Sequence, residues 1–246
     1  MDDAHGLYVV ADGMGGHQAG EVASQIVVDS IHQYYAASPP DADQETTRHD
    51  PSLSPDANRL REAIHYANQK VYQAAADNKA YRGMGSTLAA VHFSRNTFIA
   101  ANVGDSPIYL IHENAIETLS VPHTLMAEQR EFHPEDQTLF SPDLQHMLTR
   151  GMGVENTVQP DICESPCFNG DRLVLCSDGL SGKVTPEEML AVVAAHSAPD
   201  ACQKLIEMAN QRGGDDNITA LVLHVDTANT LFQRLRHWFG HLRGGN

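Results

Sequence analysis

The apolar positions of this chain change period several times, and each change marks an element. Leu7 to Ala11 make a short apolar run, LYVVA, of strand length. From Ala19 the spacing lengthens: Val22, Ala23, Ile26, Val27 and Ile31 recur at helical intervals through Ala37. The stretch SPPDADQETTRHDPSLSPDA (38–57) predicts a loop. A second helical stripe follows, with Leu60, Ile64, Ala67, Val71 and Ala74 on one face. STLAAVHF (86–93), TFIAANV (97–103) and PIYLIHE (107–113) predict three consecutive strands, an antiparallel meander.

The second half reads the same way. Residues 117–150 are mixed and polar and predict a surface flap with short helices. QPDICES (159–165) and DRLVLCS (171–177) are strand segments. TPEEMLAVVAAH (185–196) carries helix-start chemistry: Thr185 as N-cap, Pro186 in the first turn, Glu188 to close a capping box. A further helix is predicted from about Pro199 to Arg212, stopping at Gly213-Gly214, and NITALVLHV (217–225) is a last strand. Strands in blocks interrupted by helix pairs predict an α+β fold rather than alternating βαβ units.

Composition narrows the classes of function. At 246 residues with 41% hydrophobic positions, the chain has enough apolar surface for a large core. Sixteen Lys and Arg stand against thirty-two Asp and Glu, a formal charge of −16. Such a surface repels nucleic acid and anionic membranes. The same excess of carboxylates is available to cations. Cys163, Cys167, Cys176 and Cys202 include no CxxC pair, and CESPC (163–167) is a weak zinc signal, so free thiols in a reducing compartment are expected. No apolar run approaches the roughly eighteen residues of a membrane span and no signal peptide is visible, so the expected location is the cytoplasm.

Four aspartates carry the chemistry. Asp12 follows LYVVA and precedes Gly13; Asp178 follows LVLCS and precedes Gly179. Asp216 follows Gly213-Gly214-Asp215 and precedes the last strand; Asp105 lies in the turn NVGDS. An Asp-Gly pair at a strand end is by itself a common turn. Four strand-end carboxylates that meet cannot all ionise without a compensating cation. Oxygen ligands suit hard ions such as Mg and Mn, and a glycine after the aspartate lets a backbone carbonyl such as that of Gly13 join them. Two glycine motifs fail. GMGGHQ has Gln18 where a dinucleotide fingerprint needs its last glycine, and GLSGKVT (179–185) has Val184 where a P-loop needs Ser or Thr.

VADGMGGHQAGEVAS, GMGSTLAA, NVGDS, LTRGMG, GDRLVLCSDGL and GGDDNIT occur in the order seen in metal-dependent protein serine/threonine phosphatases of type 2C, and the chain resembles their bacterial branch. The matches run from about residue 7 to 225. The resemblance implies two stacked antiparallel sheets with helices outside both, an αββα sandwich. It also implies a centre of two Mn or Mg ions, with a weaker third. By motif, Asp12 resembles the carboxylate that bridges both ions, Gly13 the carbonyl ligand of the second, and Asp178 and Asp216 the remaining ligands of the first. Asp105 is similar to the aspartate that joins Asp178 at the third. The implied reaction is in-line attack on a phosphoserine or phosphothreonine by a hydroxide between two ions ~4 Å apart. The implied substrate is a phosphoprotein made by a bacterial serine/threonine kinase. His17 is the best proton donor to the leaving alkoxide; its other reading is a helix-entry residue that organises the loop.

Departures from the family pattern bear on the expectation. The usual first strand, with an R-x-x-N-E-D segment that supplies a phosphate-binding arginine and an acid for the second ion, has no counterpart. Asp2 and Asp3 look like the hairpin turn after that strand. The start is therefore read as truncated or misplaced, leaving a neighbouring edge strand uncovered, and no substrate-binding residue is assigned. Pro107 stands where the family commonly has arginine. The rival reading is a catalytically impaired, phosphatase-like signalling or binding module. Beyond residue 226, Leu231, Leu235, Trp238 and Leu242 predict a basic amphipathic helix over 227–246, packed on the domain or facing a partner or membrane surface.

Overall fold

The computed structural model describes residues 1–37, 49–132 and 147–226. Strand β1 is Leu7–Val10, β2 Gly13–Met14 and helix α1 His17–Ala37; α2 is Pro55–Asp77. Then come β3 (Gly85–Ser86), β4 (Leu88–Ser94), β5 (Thr97–Val103), β6 (Ile108–His112), β7 (Ala115–Thr118) and α3 (Leu125–Phe132). The last part holds β8 (Asp161–Pro166), β9 (Arg172–Cys176), the single turn α4 (Asp178–Ser181), α5 (Pro186–Ala195), α6 (Ala198–Gln211) and β10 (Ala220–His224).

The strands form two four-stranded sheets, β1-β4-β5-β8 and β10-β9-β6-β7, and a small ribbon of β2 and β3; every pairing is antiparallel. Three apolar layers follow from strand alternation. Leu88 and Ala90 of β4 and Ile99 and Ala101 of β5 face α1 and α2, where Val27, Ile31, Leu60, Ile64 and Val71 are fully buried. Ala89, Val91, Phe98 and Ala100 face the other way and meet Ile108, Leu110, Leu173 and Leu175 of the second sheet. Val174, Cys176 and Tyr109 turn outward to α5 and α6, onto Met189, Val193 and Leu205. Both faces of the central strands are covered, which is why they read as continuous apolar runs. The four-layer α+β sandwich is the architecture expected from the sequence.

Cap chemistry sets the helix starts. Ser54 Oγ accepts from the Ala57 N–H at 3.1 Å and Pro55 fills the first position, so α2 begins well before its apolar stripe. The capping box of α5 is closed: Thr185 Oγ1 accepts from the Glu188 N–H and Glu188 Oε2 from the Thr185 N–H. Helix α1 starts at His17, two residues earlier than its apolar pattern.

The expected meander is corrected. β4 and β5 are a hairpin, but β6 does not pair with β5; it lies between β9 and β7 in the other sheet. The turn Gly104–Pro107 carries the chain across, with Gly104 at φ +95° and a proline that has no N–H to extend the ladder. β7 follows the strand predicted to end at Glu113 and runs into the predicted flap, where the sequence predicts no strand. It returns through Glu113 and Asn114, both at positive φ (45° and 65°), a two-residue reversal without the glycine that advertises one.

At the start of the chain Asp2 and Leu7 exchange both backbone bonds, 2.8 and 3.0 Å, closing the expected hairpin turn; β1 is an edge of its sheet. All four cysteines are free. Within the expected flap, α3 is present, whereas 133–146 lie outside the described residues, as does the helix expected over 227–246. Among the described residues no helix is long and apolar enough to cross a membrane.

Candidate metal centre

Asp12 sits between β1 and β2, where the chain leaves the sandwich. Its N–H donates to Thr87 Oγ1 at 3.0 Å, and its carbonyl accepts from the Thr87 N–H at 2.8 Å and from the Ser86 hydroxyl at 3.0 Å. Gly13 pairs with Ser86 in the β2–β3 ribbon, hard against α1. A Cβ on Gly13 would stand 1.9 Å from the Gly20 carbonyl oxygen, so only glycine permits this approach of loop to helix. His17 opens α1.

Asp178 and Asp216 lie at the same end of the antiparallel β9–β10 pair, Asp178 just after β9 and Asp216 just before β10. Ser177, fully buried, joins them: its hydroxyl donates to the Asn217 carbonyl at 2.9 Å and accepts from the Thr219 N–H at 3.0 Å. A Cβ on Gly179 would lie 2.3 Å from that same Asn217 oxygen and 3.4 Å from the Asp216 Cβ. The two acidic segments therefore touch through a glycine. The neighbouring Asp215 turns away to Lys183 Nζ, 2.6 Å distant, and is largely exposed. Asp105 lies in the crossing turn. Its neighbour Ser106 hydrogen-bonds to the Thr87 hydroxyl at 2.7 Å, so Thr87 touches both the Asp12 and the Asp105 segments.

Electrostatics binds these pieces together. The Asp12 carboxyl is pushed up from the usual 3.8 to about 7. Burial is the largest cause, followed by the charges of Asp178 and Asp216; Asp105 also contributes. Asp178 Oδ1 is buried with no hydrogen-bond partner. The side chains lie within one another's field, yet among the described residues no three carboxylate, imidazole or thiol groups close into a ready-made cage. An all-oxygen donor set, one orphaned carboxylate oxygen and mutual repulsion are the properties a hard divalent cation relieves, and these residues fit one. A thiolate nucleophile does not compete: the Cys176 thiol is held at about 12 by burial and then by the charge of Asp178.

A cavity of about 500 Å³ lies between α2 and residues 149–159, with Arg61, His65 and Arg150 in its wall; none of the four aspartates lines it. Thr87, Ser86 and Ser177 support the site but escaped sequence reasoning. Their signal was adjacency: two hydroxyl residues inside an otherwise apolar strand segment, and one directly before Asp178.

A family model described as "Protein phosphatase 2C" matches residues 1–222. The "Serine/threonine phosphatase stp" of Listeria welshimeri is 34% identical over 227 residues, 90% of this chain and 85% of that protein. The Streptococcus agalactiae serine/threonine phosphatase superimposes with a TM-score of 0.75 at 31% identity, covering 89% of this chain and 87% of the other. The catalytic domain of the serine/threonine phosphatase PstP, in complex with two manganese ions, gives 0.74 at 29% identity, with 89% and 87% covered. Sequence and fold agree across almost the whole described chain, which belongs to the protein phosphatase 2C family of metal-dependent serine/threonine phosphatases.

Proposed function

We propose that Asp12, Asp178, Asp216 and Asp105, with the Gly13 carbonyl, are the groups through which this chain hydrolyses phosphoserine and phosphothreonine in proteins. The observation that carries the reading is the crowding at Asp12, where burial and three neighbouring carboxylates oppose its ionisation. Asp12, Asp178 and Asp216, with the Gly13 carbonyl, would hold two divalent ions, Asp12 serving both sites, and Asp105 with Asp178 would hold a weaker third. Mn²⁺ or Mg²⁺, when bound, supplies Lewis acidity that neutralises phosphoryl charge and acidifies an attacking water.

The chain's own residues do the rest. Thr87 and Ser86 fix the Asp12 backbone, and Ser177 fixes the distance between the Asp178 and Asp216 segments. His17, at the entry to α1, delivers the proton to the leaving alkoxide. The substrates are products of a bacterial serine/threonine kinase in the cytoplasm. Residues 1–226 are the phosphatase domain, and 227–246 an appended basic segment.

The test is hydrolysis of a phosphothreonine peptide and of p-nitrophenyl phosphate with Mn²⁺, with Mg²⁺ and with EDTA, beside Asp178→Asn. Turnover that needs a divalent ion and falls about 100-fold or more in the variant is expected. A folded chain with no turnover under any ion overturns this assignment in favour of a phosphatase-like binding module.

A further inference from the structure

Asp105 lies in the crossing turn, and the peptide before it is held by a side chain from another loop. The Gly104 N–H donates to His123 Nδ1 at 3.1 Å, and the His123 N–H donates to the Gly104 carbonyl at 3.0 Å. The His123 ring is fully buried. Its other nitrogen lies 3.0 Å from Asp161 Oδ2, and Asp161 Oδ1 accepts from Arg150 Nη1 at 3.2 Å.

These bonds permit one tautomer. A backbone N–H only donates, so Nδ1 carries the lone pair and Nε2 carries the proton, aimed at the Asp161 carboxylate. The surrounding loop is pinned a second time by Asn102, whose amide donates to the Val121 carbonyl at 2.7 Å. Asn102 and Asp161 are themselves partners across β5 and β8. On the far side, Arg150 is two residues from Met152. Met152 exchanges both backbone bonds with Ser86, 3.1 and 2.7 Å, and the Ser86 hydroxyl holds the Asp12 carbonyl. Hydrogen bonds and the short segment from Arg150 to Met152 therefore connect the Asp105 turn with Asp12.

We infer that His123 is a positioning residue for the reaction: its neutral ring sets the Gly104–Asp105 turn and ties it, through Asp161, to Arg150. The inference rests on the reading of Asp105 as a cation-facing carboxylate. Loss of the ring frees the Gly104 N–H and lets Asp105 swing. The Asn side chain at 123 returns an acceptor oxygen near the Nδ1 position but no donor to Asp161.

The test compares His123→Ala, His123→Asn, His123→Leu and, as reference, Asp105→Asn. Three readouts are taken: amide hydrogen exchange of the metal-free peptide spanning 102–107, the Mn²⁺ concentration for half-maximal hydrolysis of p-nitrophenyl phosphate, and KM for that substrate. In the unaltered protein, long-range ¹H–¹⁵N spectra should show the Nε2–H tautomer of His123. His123→Ala should speed exchange at Gly104–Asp105 about tenfold, the worth of one net hydrogen bond. It should raise half-saturating Mn²⁺ as Asp105→Asn does, leaving KM little changed, and His123→Asn should recover most of both effects. Unchanged exchange and an unchanged Mn²⁺ curve in folded His123→Ala overturn the inference; if that variant does not fold, the same null result in His123→Leu, which fills the ring's space but offers the Gly104 N–H no acceptor, does so. An Mn²⁺ curve unmoved by Asp105→Asn refutes the reading of Asp105 instead, and exchange at Gly104 still decides the role of His123.

Discussion

Asp12 and Thr87, 75 residues apart in the chain, are bonded to each other in both directions: the Asp12 N–H to the Thr87 hydroxyl at 3.0 Å, and the Thr87 N–H to the Asp12 carbonyl at 2.8 Å. The same hydroxyl meets Ser106 at 2.7 Å. A single side chain thus fixes the backbone under the central carboxylate and the turn that bears Asp105.

Thr87→Val keeps the shape and removes the hydroxyl. The Asp12 N–H then loses its acceptor, at a cost of about 1–3 kcal/mol. Denaturant unfolding and Mn²⁺-dependent turnover should both decline. Thr87→Ser, which keeps the oxygen, should retain most of the activity. Equal losses in the two variants would assign the effect to packing.

Gly179→Ala drives a Cβ to 2.3 Å from the Asn217 carbonyl oxygen, a contact that backbone must yield to relieve. The Asp178 and Asp216 segments must part. A displacement of about 1 Å costs about 100-fold in rate where geometry governs the chemistry. Steady-state kinetics at saturating Mn²⁺ measures it, and a variant with wild-type kcat would show that the separation does not matter.

Asp215 and Asp216 are neighbours with opposite expected fates. Asp215 is exposed and paired with Lys183, a surface pair worth about 0–1 kcal/mol. Asp215→Asn should therefore leave activity close to wild type. Asp216, whose charge reaches Asp12, should lose about 100-fold or more as Asp216→Asn. Parallel assays of the two variants decide which aspartate serves the centre.

The pH dependence of the metal-free fold follows from Asp12. Its folded carboxyl keeps a proton up to about 7, whereas the ordinary value is 3.8. The folded state therefore binds more protons between these limits. This contribution to stability is complete below the lower value and is lost as pH rises through the upper one. Discounted for solvent screening, the loss is about 1–2 kcal/mol. Melting temperatures in EDTA from pH 5 to 8 should fall more steeply for the unaltered protein than for Asp12→Asn, and Mn²⁺ should restore the difference at pH 8. Parallel slopes would mean that the aspartates do not repel one another.

Much of this protein was legible in its sequence because local rules carry it. The periods of 19–37 and 60–74 gave α1 and α2; Thr185, Pro186 and Glu188 gave the start of α5. Asp12, Asp105, Asp178 and Asp216 stood out because each adjoins an apolar strand run and a glycine or turn. These signals lie within a few residues of the element they specify. Tertiary structure alone decided which strand edges meet. Nothing local says that β6 leaves β5 for the second sheet, since both strands are apolar on both faces and fit either neighbour. Nothing local says that Ser177 spans to Asn217 and Thr219, that His123 seats Gly104, or that Lys183 draws Asp215 aside and leaves Asp216 facing Asp12. A hydroxyl or imidazole bonds whatever polar group the packed core brings to it, and that choice is made when the sheets stack, across separations no sequence window contains.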